Sequence, residues 1–207
     1  NEIFAPYDSP GLDEINDGLK LDPQNRALPV DFGDVCLNYD RAWFTANSLK
    51  PPQSLDDLID PTYAGLTAVE NPATSSPGLA FLLATVDTYG EEGYLDFWRQ
   101  LGENDVLVTD GWEDAYYGAF TSASDGDRPI EFRYASSPPA EVYFAETALE
   151  LAPTASVVSD GSCFRQVEFV GVLKGTEHEE EAQLLVDFLL SRQFQEDIPL
   201  HMFVFPA

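Results

Sequence analysis

The run Thr109-Asp110-Gly111-Trp112-Glu113-Asp114-Ala115-Tyr116 sets an indole ring and a carboxylate pair directly after a strand-like segment, Asp105 to Thr109. A tryptophan between the end of a strand and the start of a helix is placed to stack on a flat ligand, because open α/β folds bind ligands beyond the carboxyl ends of their strands. The same position equally suits a tryptophan that only packs into a core. Two Ser-Ser-Pro elements, Ser75-Ser76-Pro77 and Ser136-Ser137-Pro138, each follow a strand-like run and open a helix. Helix N-termini present unpaired N–H groups and partial positive charge, and serine hydroxyls add donors, so such elements can hold a phosphate or carboxylate without lysine. As plain N-caps, the serines need no ligand. Further rings at Tyr116, Tyr117, Tyr134, Tyr143, Phe203 and Phe205 add faces that attract positive charge. The pattern suits a small ligand that is flat and cationic at one end and phosphorylated at the other.

The elements that must position these groups alternate between strand and helix, which points to an α/β architecture. Asn1 to Pro29 reads as loop-rich, with a short helix at Leu12 to Leu19. Strands are expected at Phe32 to Tyr39, Gly65 to Val69, Asp105 to Thr109, Ile130 to Tyr134 and Phe164 to Leu173. Helices are expected at Leu55 to Ile59 with Ser54 as its cap, from the first Ser-Ser-Pro to about Tyr89, and at Gly93 to Leu101. Another starts at Trp112, and a further one runs from the second Ser-Ser-Pro through Tyr143. Glu177 to Leu190 is strongly amphipathic, with Ala182, Leu185, Val186 and Leu189 on one face, and a last short helix begins near Ser191.

Of the 207 residues, 37 are acidic and 10 basic, a formal net charge of -27, which excludes nucleic acid and anionic membranes as partners by repulsion. The acids are dispersed from Glu2 to Asp197, and lysine occurs only at Lys20, Lys50 and Lys174. Such a surface is similar to that of proteins from salt-loving archaea, where salt screens the self-repulsion, and the fold is expected to loosen at low salt. No apolar run is long enough to span a membrane. With no initiator Met and abrupt ends, the chain reads as a fragment or processed form. Cys36 and Cys163, both beside strand-like runs, are equally compatible with a disulfide and with two buried thiols.

Six pieces in order carry a resemblance: Asp31-Phe32-Gly33, Pro51-Pro52-Gln53-Ser54-Leu55, Asn71-Pro72-Ala73-Thr74-Ser75-Ser76-Pro77-Gly78-Leu79, Gly111-Trp112-Glu113-Asp114-Ala115-Tyr116, Tyr134-Ala135-Ser136-Ser137-Pro138, and Ile198-Pro199 to Pro206. From about Phe4 to Pro206 the chain resembles the thiamine-binding proteins of bacterial and archaeal ABC importers. The resemblance implies a two-lobed periplasmic-binding-protein fold, type II-like, whose lobes close on the ligand. It implies that Trp112 stacks on thiamine, that Ser75 and Ser76 face its phosphate end, and that Tyr134 and Ser137 serve the second Ser-Pro motif. Phe203 stands where the family usually has Trp, and Tyr143 replaces a tyrosine whose aligned place holds Ala140. Tyr116 completes the expected ligand set. The first lobe would be incomplete, comprising residues 1–31 and 174–207, with 49–160 as the second lobe and 32–48 and 161–173 as crossings. That layout puts Cys36 and Cys163 near the hinge and favours the disulfide.

The resemblance thus implies an extracellular or periplasmic binding protein that captures thiamine or thiamine phosphate and delivers it to an ABC permease. It implies no chemistry, no cofactor and no nucleic acid, and membrane anchoring would come through a segment this sequence does not contain. Two alternatives stand beside it. Tyr116-Tyr117 matches the adjacent tyrosines with which iron-binding relatives hold ferric ion, although His178 and His201 show no metal-ligand spacing. A thiamine-degrading enzyme of the same broad fold would use a cysteine such as Cys163, or Glu113-Asp114 as an acid/base pair. No Gly-x-Ser-x-Gly elbow, phosphate-cradling loop or His-x-x-x-His pair supports an enzyme.

Overall fold

The computed structural model describes residues 3–207; Asn1 and Glu2, the start of the segment expected to be loop-rich, lie outside the described residues. In chain order the strands are β1 (Phe4–Ala5), β2 (Leu28–Asp40), β3 (Thr67–Glu70), β4 (Leu107–Thr109), β5 (Ile130–Tyr134), β6 (Thr154–Val157), β7 (Cys163–Val170), β8 (Val172–Leu173) and β9 (Phe205–Pro206). The α-helices are α1 (Arg41–Ala46), α2 (Ser76–Glu103), α3 (Ser137–Tyr143), α4 (Glu179–Leu189), α5 (Arg192–Gln195) and α6 (Ile198–His201). The chain divides into two compact units, Asn1–Gly33 with Gln166–Ala207, and Asp34–Arg165.

In the larger unit the strands lie in the order β4-β3-β5-β2-β6. β3 is parallel to both neighbours, with Ala68 opposite Leu107 and Glu131, whereas β2 is antiparallel to β5 and β6. The strand sequences suit this setting: β3 is buried along its whole length, as a central parallel strand must be. α2 lays Ala80, Phe81, Ala84, Phe97 and Leu101 into the core against Val69, Ile130 and Phe132. The Phe81 ring lies 4.5 Å from Phe132 and 6.3 Å from Phe97. Burying each such ring stabilises the fold by about 1.5–3 kcal/mol.

Two glycines shape α2. Gly90, with φ 73° and ψ 171°, breaks it where the sequence places a gap between two helices. Nothing lies within 4 Å of where its Cβ would sit, so Gly90 serves the backbone turn rather than packing. Gly78 serves close approach: a Cβ there would lie 2.5 Å from the Glu70 carbonyl oxygen. Its absence lets the first turn of α2 press against the end of β3.

Cys36 and Cys163 form a disulfide that ties β2 to β7. Beside it, Arg165 donates two hydrogen bonds of 2.8 Å to the carboxylate of Asp34, the planar fork matching both oxygens. β2 and β7 are also the strands whose chains continue from one unit into the other, at Gly33–Asp34 and Arg165–Gln166.

In the smaller unit Leu28, Val30, Val172, Val186, Leu190 and Ile198 are buried. β1 pairs antiparallel with β8, and β9 pairs with the first part of β2, setting Phe32 opposite Phe205. The Gln195 amide donates to the carbonyls of Val30 and Leu189, both at 2.8 Å, and so fastens α5 to β2 and α4.

Several expected elements differ. Leu12 to Leu19 is not one helix but two 3₁₀ turns, Pro10–Glu14 and Asp17–Leu19, because Asn16 is extended and its side chain accepts the Gly18 amide. Ser54 does not cap a helix; Asp57 reaches back to accept the amides of Gln53 and Ser54, and Asp56–Ile59 is a 3₁₀ turn. The strand from Phe164 to Leu173 is interrupted at Gly171, where a Cβ would strike the Arg26 carbonyl at 2.5 Å. On α4, Val186 is buried but Leu185 is 55% exposed, beside Leu184 and Phe188, which are exposed too. The segment after Trp112 is a π-helix rather than an α-helix.

Candidate functional site

Because β3, β4 and β5 are mutually parallel, their carboxyl ends lie along one edge of the sheet. The loop after β3 leads to Ser75 and α2, the loop after β4 to Trp112, and the turn after β5 to Ser137 and α3. The three expected motifs therefore emerge at the edge where α/β folds receive ligands. Hydrogen bonds join the first two loops. The Asn71 amide donates to the Thr109 carbonyl at 2.8 Å, and the Thr74 hydroxyl donates to the Asp110 carbonyl at 2.6 Å.

Ser75 is half-buried and extended, and its hydroxyl oxygen accepts the Gly78 amide at 3.4 Å. The same hydroxyl donates to the carboxylate of Glu70, the last residue of β3. Ser76 begins α2 and is exposed. Ser137 begins α3 and is buried, and Tyr134 ends β5, half-buried and opposite Val35.

Trp112 is 49% exposed. From it, Asp114–Ala119 winds as a π-helix in which the Phe120 amide reaches the Ala115 carbonyl five residues back, at 2.9 Å. The wider turn sets the rings in sequence: Trp112 to Tyr117 at 5.9 Å, Tyr117 to Tyr116 at 4.9 Å, and Tyr116 to Phe120 at 6.0 Å. Tyr143, at the end of α3, is exposed and its ring neighbours Phe144 at 4.8 Å. Phe203 belongs to the other unit, where it is exposed with φ 60°.

Behind the rings lies a buried charged cluster. The Arg133 guanidinium lies 3.9 Å from the centroid of Tyr116, a cation–π contact, and ion-pairs with Glu131 at 3.2 Å. Glu70 of β3 and Glu141 of α3 also face this arginine, and Glu141 accepts the Thr154 hydroxyl at 2.6 Å. Burial pushes the Glu131 carboxyl up to about 7, with Arg133 pulling the other way. Burial raises Glu70 and Glu141 as well, opposed for both by a serine or threonine hydroxyl and by Arg133. Burial, reinforced by Glu141, raises the Tyr116 phenol. With Glu131 paired to Arg133, the carboxylates of Glu70 and Glu141 leave this wall net negative.

Sequence reasoning did not single out Glu70, Glu131, Arg133 or Glu141. For Glu70, Glu131 and Arg133 the signal was a charge inside otherwise apolar strands, Thr-Ala-Val-Glu and Ile-Glu-Phe-Arg-Tyr; Glu141, on helix α3, had none. Glu113 and Asp114, the carboxylate pair that sequence did mark, are both exposed. Among the described residues, no group of three histidine, cysteine or acidic side chains is arranged to hold a metal ion.

The family described as bacterial extracellular solute-binding protein matches residues 1–207. The chain is 32% identical over 181 residues to the thiamine-binding periplasmic protein of Escherichia coli (strain K12), covering 87% of this chain and 51% of that protein. Among solved structures, a periplasmic thiamin binding protein superposes with a TM-score of 0.79 at 26% identity, over 99% of this chain and 59% of that one. Iron-bound HitA from Pseudomonas aeruginosa superposes with a TM-score of 0.75 at 20% identity, over 99% and 63%, a likeness of fold. The chain thus spans about half the length of the curated relatives it matches.

Proposed function

The chain belongs to the bacterial extracellular solute-binding protein family, and on that premise we propose that it captures thiamine or a thiamine phosphate, outside the cytoplasm, for an ABC importer. The observation that carries the reading is the ring series from Trp112 through Tyr117 to Tyr116, backed by the negative Glu70–Glu131–Glu141 cluster. A half-exposed indole offers its face to a flat cation, and excess carboxylate beside Tyr116 favours positive charge. The relatives named for thiamine support the same ligand. Ser75, Ser76 and Ser137, at the helix starts that follow β3 and β5, and Tyr134, at the end of β5, are taken as its polar and aromatic complement, and Tyr143 and Phe203 are assigned contacts by resemblance alone. Binding without chemistry would shift a conformational equilibrium that a permease reads.

The ferric-iron alternative rests on Tyr116-Tyr117. Burial holds the Tyr116 phenol protonated to higher pH, which works against phenolate ligation. No helix among the described residues is long and apolar enough to cross a membrane.

Intrinsic fluorescence tests the reading. Trp43 and Trp98 pack against the core, so quenching by a stacked ligand reports on Trp112. Saturable quenching by thiamine that vanishes in Trp112→Ala is expected. Quenching that persists in the variant, or a purple ferric complex without thiamine binding, would overturn it.

A further inference from the structure

Ser75 is where a phosphoryl group would be expected, and its surroundings are wrong for one. Its hydroxyl proton is given to Glu70, a carboxylate only 3% exposed. Of the first amides of α2, that of Gly78 is held by the Ser75 hydroxyl, that of Leu79 by the Ser75 carbonyl, and Pro77 has none. Of the donors that usually receive an anion at a helix start, only the Ser76 amide is not committed by these contacts. Arg133, the nearby cation, is bound to Glu131 and sits over the Tyr116 ring. At the second motif, Pro138 and Pro139 remove two more amides from the start of α3.

We infer that Glu70 is a specificity-determining residue that sets this site against phosphorylated ligands and in favour of an unphosphorylated organic cation with a free hydroxyl. The inference deepens the thiamine reading and rests on it. With its proton donated to Glu70, the Ser75 oxygen presents a lone pair, which suits a ligand hydroxyl acting as donor. A phosphoryl oxygen in the same place meets that lone pair and, one hydroxyl behind it, a buried negative charge. Like charges so placed discriminate strongly because little solvent screens them. Glu141 of α3 adds charge of the same sign, whereas that of Glu131 is matched by Arg133.

The test is calorimetric titration of the chain and of Glu70→Gln with thiamine, thiamine monophosphate and inorganic phosphate at pH 7.5. Gln keeps an acceptor for the Ser75 hydroxyl, and Glu70→Asp, which keeps the charge, serves as a second variant should Gln fail to fold. Wild type is expected to bind thiamine at least about tenfold more tightly than its monophosphate. Glu70→Gln should close that gap by about tenfold, chiefly by strengthening monophosphate binding, and Glu70→Asp should keep it. A wild-type preference for the monophosphate, an unchanged gap in Glu70→Gln, or a gap lost in Glu70→Asp would overturn the inference while leaving thiamine as ligand. Should neither protein bind any thiamine form, the thiamine reading fails. Inorganic phosphate then decides alone: binding to Glu70→Gln but not wild type supports the inference, and equal binding or none to both overturns it.

Discussion

Cys36 and Cys163 are bonded to each other two residues from Asp34 and Arg165, which are themselves joined by a two-pronged ion pair. β2 and β7 are thus fastened twice, side by side, within the larger unit, next to where β2 enters it and β7 leaves it. The chain closed by the disulfide spans a sequence separation of 127, so the cross-link removes much freedom from the unfolded state. Reduction is expected to cost about 2–4 kcal/mol of stability. Thermal unfolding with and without reductant, repeated on the Cys36→Ser/Cys163→Ser double variant, checks this; identical midpoints would refute it.

Trp112 is half-exposed and its ring contact is to the exposed Tyr117, so its removal should leave the fold alone. Trp112→Ala is expected to shift stability by less than about 0.5 kcal/mol. It should weaken thiamine binding at least about tenfold. Paired melting and titration experiments check both, and a large loss of stability would recast Trp112 as a packing residue.

Arg133 is the cation on which Glu131 depends in a buried setting. Arg133→Met leaves that carboxylate uncompensated and is expected to cost about 3–5 kcal/mol at pH 7.5. The Arg133→Met/Glu131→Gln double variant should recover a large part of that loss, which urea unfolding of the four proteins of the cycle will show. Additive losses would mean the pair is not coupled.

Glu131 titrates near 7 in the folded protein against an ordinary value of 4.5, and Asp31, buried and facing Glu168, near 6 against 3.8. In both, the folded state binds the proton more tightly than the unfolded state. Each therefore contributes stability that is present below the unfolded value and falls away as pH rises toward the folded one. For Glu131 the window is about pH 4.5 to 7, and the change is up to about 3 kcal/mol. Denaturant midpoints measured across this range in constant salt should fall with rising pH, and Glu131→Gln should flatten the slope. A slope unaltered by the substitution would count against the assignment.

With 37 acidic and 10 basic residues, the protein carries self-repulsion that counterions screen. Raising salt from tens of millimolar to molar is expected to raise the melting temperature by several degrees, roughly the equivalent of 1–2 kcal/mol. A flat response over that range would show that the charges are spaced widely enough not to matter.

Elements set by local chemistry were legible in the sequence. β5 falls at Ile130–Tyr134 as expected, α2 starts at its Ser-Ser-Pro, and α3 ends at Tyr143. What depends on distant partners was not. β2 begins at Leu28 rather than Phe32, and β9, which pairs with it at Asp31 and Phe32, was not foreseen as a strand. Thr154–Val157 became a strand only because β2 lies ready to receive it. At the site, Trp112 and the two serine motifs were visible because their residue types announce them. Glu70 and Glu131 were hidden because only the parallel pairing of β3 with β5 brings them together around Arg133. The disulfide stood open from the residues alone and was favoured by the resemblance, which put Cys36 and Cys163 near the hinge; the structure forms it.

The π-turn between Trp112 and Phe120 has an evolutionary consequence. A turn closed over five residues instead of four holds one residue more than an α-helix would. Removing that residue, anywhere along the turn, would restore an ordinary helix and swing Trp112 through about 100° relative to the segment that follows. For a lineage of such proteins, a single-codon deletion here re-aims an aromatic wall in one step, whereas point substitution must replace its rings one at a time. Differences of one residue in the length of this turn are where divergence of ligand preference among relatives should be sought.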